Sequence, residues 1–211
     1  MTNPKATLHM ANGADIVIEL LPEAAPNTVN SFIYAASHGY LDHHAIERIV
    51  PGNWVDVSYT AFGHKELQYL IPNEFALNPD VTPLDSHPGC VCMGGYGEAG
   101  LASCEFFFPL RDCPDHKGTY PVFGKVISGM NEIRRIAAVK TVPVDFPIPG
   151  VEVNKPVEPQ VIETVELELY GETYPEPVRV ENPKLPKCSY QLTTNNLCGR
   201  LEIRSHKLHT S

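Results

Sequence analysis

The 211-residue chain lacks the features that would place it in a membrane, on a nucleic acid or in a disulfide scaffold. Nowhere do about 18 apolar residues run together, so no segment predicts a membrane-spanning helix. The opening residues Met1-Thr2-Asn3-Pro4-Lys5 lead into an alternating segment without the apolar stretch of a secretory leader, which sets the expectation of a cytoplasmic, unanchored protein. Basic residues are scarce, at 16 Lys and Arg against 25 Asp and Glu. The resulting net charge of −9 disfavours a nucleic-acid partner, because such proteins neutralise phosphates with clustered cations. Six cysteines, Cys90, Cys92, Cys104, Cys113, Cys188 and Cys198, show no CxxC spacing, and with no leader they read as reduced, structural thiols.

What is present is enough apolar sequence, 43%, to bury one sizeable core. Ala6 to Ala11 and Asp15 to Leu21 alternate around Asn12-Gly13, which predicts a hairpin with a two-residue turn. Val29, Phe32, Ile33 and Ala36 then recur at helical spacing, giving a helix over about 27–38 that Asn27 or Thr28 would cap and Gly39 would end. Short strands follow at 43–50, 53–59, 90–94, 105–110 and 122–127, a second helix at about 130–138 with Ser128 as its cap, and a closing strand from Val161 to Leu169. Many short strands with two helices predict a mainly β fold, an antiparallel barrel whose closure removes exposed edges. Five prolines between 141 and 160 read as a long surface connection. Residues 1–174, with 10 basic and 22 acidic side chains, are expected to form the barrel domain; 175–211, with 6 and 3, are expected to form a proline-containing extension with a weakly periodic end from Leu197 to Leu208.

One cation stands out in this pattern. Arg48 lies in Ala45-Ile46-Glu47-Arg48-Ile49-Val50-Pro51-Gly52, where a charged side chain either points to solvent or holds something specific. That string belongs to a series. Ala25-Pro26-Asn27-Thr28-Val29-Asn30-Ser31-Phe32, Gly39-Tyr40-Leu41-Asp42, Arg48-Ile49-Val50-Pro51-Gly52, Cys104-Glu105-Phe106-Phe107 and Val122 to Met130 resemble, in order and spacing, the cyclophilin-type peptidyl-prolyl isomerases. The resemblance covers about residues 5–170, and Ile71 to Phe75 with Tyr170 to Pro177 is similar to small bacterial members. It implies a closed eight-stranded antiparallel barrel capped by two α-helices. It also implies isomerisation of X-Pro bonds in peptides and folding proteins, with no cofactor and no metal, by a monomer.

Rotating such a bond breaks amide resonance against a barrier of about 20 kcal/mol and localises a lone pair on the imide nitrogen. A preorganised donor that bonds the twisted imide more strongly than the planar one lowers that barrier. By resemblance Arg48 is the catalytic arginine and Phe107 floors the proline pocket. Trp54 stands where the family usually has methionine, and Met93, Gly94 and Gly95 fall on the strand and loop bordering the groove. Asn53 and Asp56 replace a groove phenylalanine and a glutamine, Glu105 replaces a second glutamine, His116 or Asp115 falls near the usual tryptophan, and Tyr120 near the usual histidine. Carboxylates at Asp56 and Glu105, with Glu47 adjacent, would hold Arg48 while spending its donors. The implied activity is therefore reduced; the alternative is a proline-peptide binding module without useful turnover.

Other groupings read more plainly. His38, His43 and His44 lack defined ligand geometry and read as solvated. Cys90 and Cys92 share a strand face and read as core filler. Gly94 to Gly100 lacks the Lys-Ser/Thr of a phosphate loop and reads as groove lining. Ser103 and Cys104 have no base partner defined by sequence.

Overall fold

The first hairpin shows how the sequence sets the sheet. In this computed structural model, which describes residues 2–57, 64–144 and 153–183, β1 (Lys5–Met10) and β2 (Asp15–Leu20) pair antiparallel with Lys5 opposite Glu19 and His9 opposite Asp15. Every second residue is buried, as a half-covered sheet requires. The turn is longer than the two residues expected. Met10 N–H bonds Ala14 O and Gly13 N–H bonds Met10 O, both at 2.8 Å, closing a three-residue loop whose last member, Gly13, sits at φ +85°. Only glycine takes that left-handed position without strain.

Helix α1 spans Pro26–Ser37 and buries Val29, Phe32, Ile33, Ala35 and Ala36. Its start differs from the expected Asn27 or Thr28 cap. Ala25 is the N-cap and supplies no side chain, so the orphan N–H groups are met from elsewhere. Glu74, with no exposed surface, accepts from Asn27 N–H at 3.2 Å, from Thr28 N–H at 2.8 Å and from the Thr28 hydroxyl at 2.6 Å. Glu74 opens α2 (Glu74–Leu77), a one-turn helix absent from the sequence reading and capped by the Asn73 side chain. A carboxylate at a helix N-terminus is also favoured by the helix dipole. The third helix, α3 (Met130–Ala137), starts from Gly129 at φ +93° rather than from a Ser128 cap. A Cβ on Gly129 would lie 2.4 Å from Asp15 O, so that approach to β2 is open only to glycine.

The remaining strands are β3 (His44–Ile46), β4 (Arg48–Val50), β5 (Trp54–Asp56), β6 (Leu70–Ile71), β7 (Cys90–Gly95), β8 (Leu101–Pro109), β9 (Val122–Ser128), β10 (Thr141–Pro143), β11 (Asn154–Pro156) and β12 (Gln160–Glu168). All ladders are antiparallel, in the order β10-β11-β4-β5-β8-β7-β9-β2-β1-β12-β3, with β6 added beside β8. The expected closed eight-stranded barrel is thus corrected: twelve strands are described, and their path is open. The reason lies at Glu47. The run read as one strand over 43–50 breaks there, its first half pairing with β12 and its second with β5 and β11. Across that break β3 and β4 are joined by chain continuity through Glu47, whereas in the ladder order they stand far apart on the strand path.

The described ends of the proline-rich connection form strands, while residues 145–152 within it lie outside the described residues. Thr141 pairs with Pro156 and Pro143 with Asn154, forming a short arm at one end of the sheet, where prolines are tolerated. Beyond β12, residues 175–183 run back along the body, with Pro177 buried. The weakly periodic end at 197–208 lies outside the described residues, as do Cys188 and Cys198. Among the described residues, no helix is long and apolar enough to cross a membrane.

Inside the sheet, Phe106, Phe108, Phe123, Met93, Val91, Ile49 and Val55 join Phe32 in one core. Phe32 sits 5.4 Å from both Phe106 and Phe123, ring centre to ring centre. All nine residues of β8 are buried, so that strand is covered on both faces. The second cover is a smaller cluster of Cys90, Cys92, Phe107 and Val122, against which Leu21, Trp54 and Tyr120 pack.

Candidate functional site

That outer cluster continues into a row of side chains set by strand register. Arg48 on β4 lies opposite Asp56 on β5, Asp56 opposite Phe107 on β8, and Phe107 opposite Cys92 on β7. Directly paired residues point to the same face, so these four stand side by side outside the core. Arg48 donates from Nη1 to Asp56 Oδ2 at 2.8 Å, and the two side chains keep only 16% and 12% of their surface exposed. The guanidinium carbon also lies 5.8 Å from the centre of the Trp54 ring. Asp56 therefore does what the sequence reading expected of it, and fixes the cation from one side.

The other carboxylates divide their attention. Glu105, two residues before Phe107 on the same strand face, accepts the Tyr96 hydroxyl at 2.7 Å on both oxygens. Glu47 pairs with Lys155 of β11 at 2.7 Å. Tyr96 belongs to the Gly94 to Gly100 segment read as groove lining, but its bond to Glu105 is not announced by the sequence. Gly94 and Gly95 adjoin this corner. A Cβ on Gly94 would lie 3.1 Å from Glu105 O, so that strand crossing favours glycine.

An aromatic wall covers Phe107. Trp54 lies 6.0 Å, His116 5.5 Å and Tyr120 5.8 Å from its ring centre, with His116 4.9 Å from Tyr120 and 5.7 Å from Trp54. Phe107 is left 6% exposed and His116 also 6%. His116 comes from the single turn Pro114–His116, and its Nδ1 is the one buried side-chain polar atom without a hydrogen-bond partner among the described residues. Burial draws its pKa below the ordinary histidine value, with Asp115 opposing the effect and Arg111 adding to it, which favours the neutral ring.

Two placements depart from expectation. Met93 does not reach the groove: it pairs with Phe106, shares the inner face with it and has no exposed surface. Strand alternation decides this, because its neighbour Cys92 takes the outer face opposite Phe107. Asn53 faces the site rim but is engaged by Arg111, whose Nε donates to Asn53 Oδ1 at 2.7 Å. Arg111 went unnoticed because 58 residues separate the two in sequence.

The thiols nearby are inert. Burial pushes Cys92 up to about 12 and raises Cys90 as well, so neither supplies a thiolate at neutral pH. The three histidines singled out by sequence are scattered in role. His38 stacks on Tyr40, His43 pairs with Glu163 at 3.2 Å, and His44 is half-buried and donates from Nε2 to Val57 O at 2.7 Å. Among the described residues no group of three or more His, Cys, Asp or Glu is placed to hold a metal ion. Ser103, considered as a nucleophile, donates its hydroxyl to Leu67 O at 2.6 Å inside the core.

Comparison with known proteins follows this geometry. The sequence model of the family described as cyclophilin type peptidyl-prolyl cis-trans isomerase/CLD matches residues 6–167. Peptidyl-prolyl cis-trans isomerase-like 1 of Aspergillus niger is 32% identical over 139 residues, 64% of this chain and 83% of that protein. Its namesake from Gibberella zeae is 30% identical over 143 residues, 66% and 86% of the two chains. In three dimensions, the crystal structure of a Cryptosporidium parvum cyclophilin type peptidyl-prolyl cis-trans isomerase aligns with a TM-score of 0.60 at 16% identity, covering 82% of this chain and 99% of the other. A second structure of that protein, in the presence of the dipeptide Ala-Pro, aligns with the same score over 78% of this chain. The structural likeness concerns the fold.

Proposed function

Because the chain belongs to the family of cyclophilin-type peptidyl-prolyl cis-trans isomerases, we propose that the face around Arg48 and Phe107 binds X-Pro segments of peptides and unfolded proteins and isomerises them at a reduced rate. The carrying observation is the shared row: Arg48 and Phe107 flank Asp56 on one sheet face. A proline ring seated against Phe107 would bring its imide nitrogen toward the guanidinium. Arg48 would then donate to the lone pair that appears as the bond twists, an interaction absent in the planar ground state. The chemistry asks for no nucleophile and no cofactor, and the reading takes the protein to act as a cytoplasmic monomer.

Two features temper the rate. Asp56 offsets part of the cation's field, and the covered Phe107 requires Trp54 or His116 to turn aside before a proline enters. The buried Nδ1 of His116 would gain a partner when it does so, which lowers the cost of that opening. The second reading, a proline-peptide binding module without turnover, is favoured by the Arg48–Asp56 pair alone.

A protease-coupled assay on a proline peptide separates them. Catalysis above the spontaneous rate, lost on Arg48→Ala by at least about 100-fold, is expected, as for removal of one transition-state donor. A rate equal to the spontaneous one in the folded wild type, together with saturable peptide binding, would establish the module instead.

A further inference from the structure

Residues 175–183 are held on the body in the manner of a bound peptide. Val178 donates its N–H to Asn27 Oδ1 at 2.7 Å, and its carbonyl accepts from Asn27 Nδ2 at 3.1 Å. One side-chain amide, 4% exposed, is thus spent wholly on main chain 151 residues away. Two residues on, Val180 N–H donates to Leu70 O at 2.8 Å, extending the edge of β6. Between them the Arg179 guanidinium lies 4.1 Å from the Tyr69 ring centre and 5.0 Å from that of Tyr34.

The contact pattern shows what this groove reads. Pro177 is buried, and Arg179, although exposed and 3.5 Å from Glu176, lays its guanidinium over the two tyrosines, whereas Val178 between them is 52% exposed. Main chain at 178 and 180 gives extended geometry; side chains at 177 and 179 give selectivity. Alternate anchoring of this kind is how strand addition to a sheet edge distinguishes peptides.

We propose that Asn27, Tyr34, Tyr69 and Leu70 form a second peptide groove, none of whose residues belongs to the Arg48 face, that recognises an extended Pro-x-Arg segment and is filled here by the chain's own Pro177-Val178-Arg179-Val180. The tether makes the segment a resident competitor. Linked through exposed residues 171–173, it faces the groove at an effective concentration on the order of millimolar, so a partner carrying the same pattern enters only when the strap is weakened or out-competed. The planar guanidinium suits two aromatic faces better than an ammonium does, so arginine is read in preference to lysine.

The test uses the full chain and a fluorescent ten-residue peptide with the sequence of residues 174–183. The double variant Pro177→Ala, Arg179→Ala keeps the groove and weakens its resident. It is expected to bind the peptide saturably and at least about tenfold more tightly than the wild type, because the millimolar competitor has been weakened. A peptide with alanine in place of its arginine should bind the variant roughly three- to fivefold more weakly, the worth of an exposed cation–π contact. Equal uptake by variant and wild type, or equal binding of the two peptides, overturns the proposal. If the double variant does not fold, Arg179→Ala alone decides by hydrogen exchange. Faster exchange at the Val178 and Val180 amides with the rest of the sheet unchanged supports a displaceable strap, and unchanged exchange at both refutes it.

Discussion

Replacing Asp56 by asparagine keeps the shape and the hydrogen-bond acceptor beside Arg48 and removes the charge. The carboxylate oxygen lies 2.8 Å from Nη1, with the pair mostly withdrawn from water. An imide nitrogen accepting from the same guanidinium would stand about 5–6 Å from that carboxylate, and about half a negative charge develops on it as the bond twists. At an effective dielectric constant of about 20, the carboxylate opposes that charge by about 1.5 kcal/mol. Asp56→Asn is therefore expected to raise kcat/KM about tenfold in the protease-coupled assay. The same change gives up a charge-assisted hydrogen bond and should lower stability by about 1–2 kcal/mol, or Tm by about 3–6 °C. Opposite signs in the two readouts are the signature, since a loosened fold alone would lower both. An unchanged or lower kcat/KM in protein that retains its cooperative transition would refute the electrostatic reasoning.

Three further outcomes follow from polar groups withdrawn from water. Glu74→Ala leaves the first N–H groups of α1 without acceptors in a site with no exposed surface, and should cost about 3 kcal/mol, seen as a fall in Tm of about 6–12 °C. Burial pushes His44 down to about 4 against 6.5 unfolded, so its contribution is complete above about pH 6.5 and is lost as pH falls toward 4; urea titrations should show a loss of about 2 kcal/mol between pH 7.5 and pH 5. His44→Gln, which keeps a donor for Val57 O, should remove most of that difference, and an unchanged pH dependence would contradict the assignment to His44.

The local features were legible in the sequence and the distant ones were not. Alternation and the Asn12-Gly13 pair marked the first hairpin, and helical spacing marked α1 to within one residue at each end. The cap on α1 could not be read, because Glu74 lies 46 and 47 residues from the groups it satisfies and nothing local announces it. The β10–β11 arm was hidden by prolines that argue against a central strand and are silent about an edge. Met93 was misplaced because a resemblance aligned by letters carries no information about which strand face a residue takes, whereas one position along a strand reverses it. The wall over Phe107 gathers Trp54 from one segment and His116 and Tyr120 from another, so only the folded chain brings it together.

The pairing at the centre of the site, by contrast, is set by local hairpin register once the length of the turn is known. Val50 O accepts Asn53 N–H at 2.9 Å across Pro51-Gly52, with Gly52 at φ +72°, the arrangement of a type II turn with proline first and glycine second. That turn fixes Val50 opposite Trp54, and each step outward pairs residues equidistant from Gly52, so Arg48 must meet Asp56. Two residues from Val50 and two from Trp54, both return to the outer face that Trp54 occupies. The same logic carries across β5 to Phe107 and shows why the cation, its carboxylate and the aromatic floor stand in a line: the register of one three-residue turn positions them. A glutamine in place of Asp56 would keep the register and remove one negative charge from beside Arg48. The turn therefore sets where the arginine stands, and the side chain at position 56 sets the charge held 2.8 Å from it.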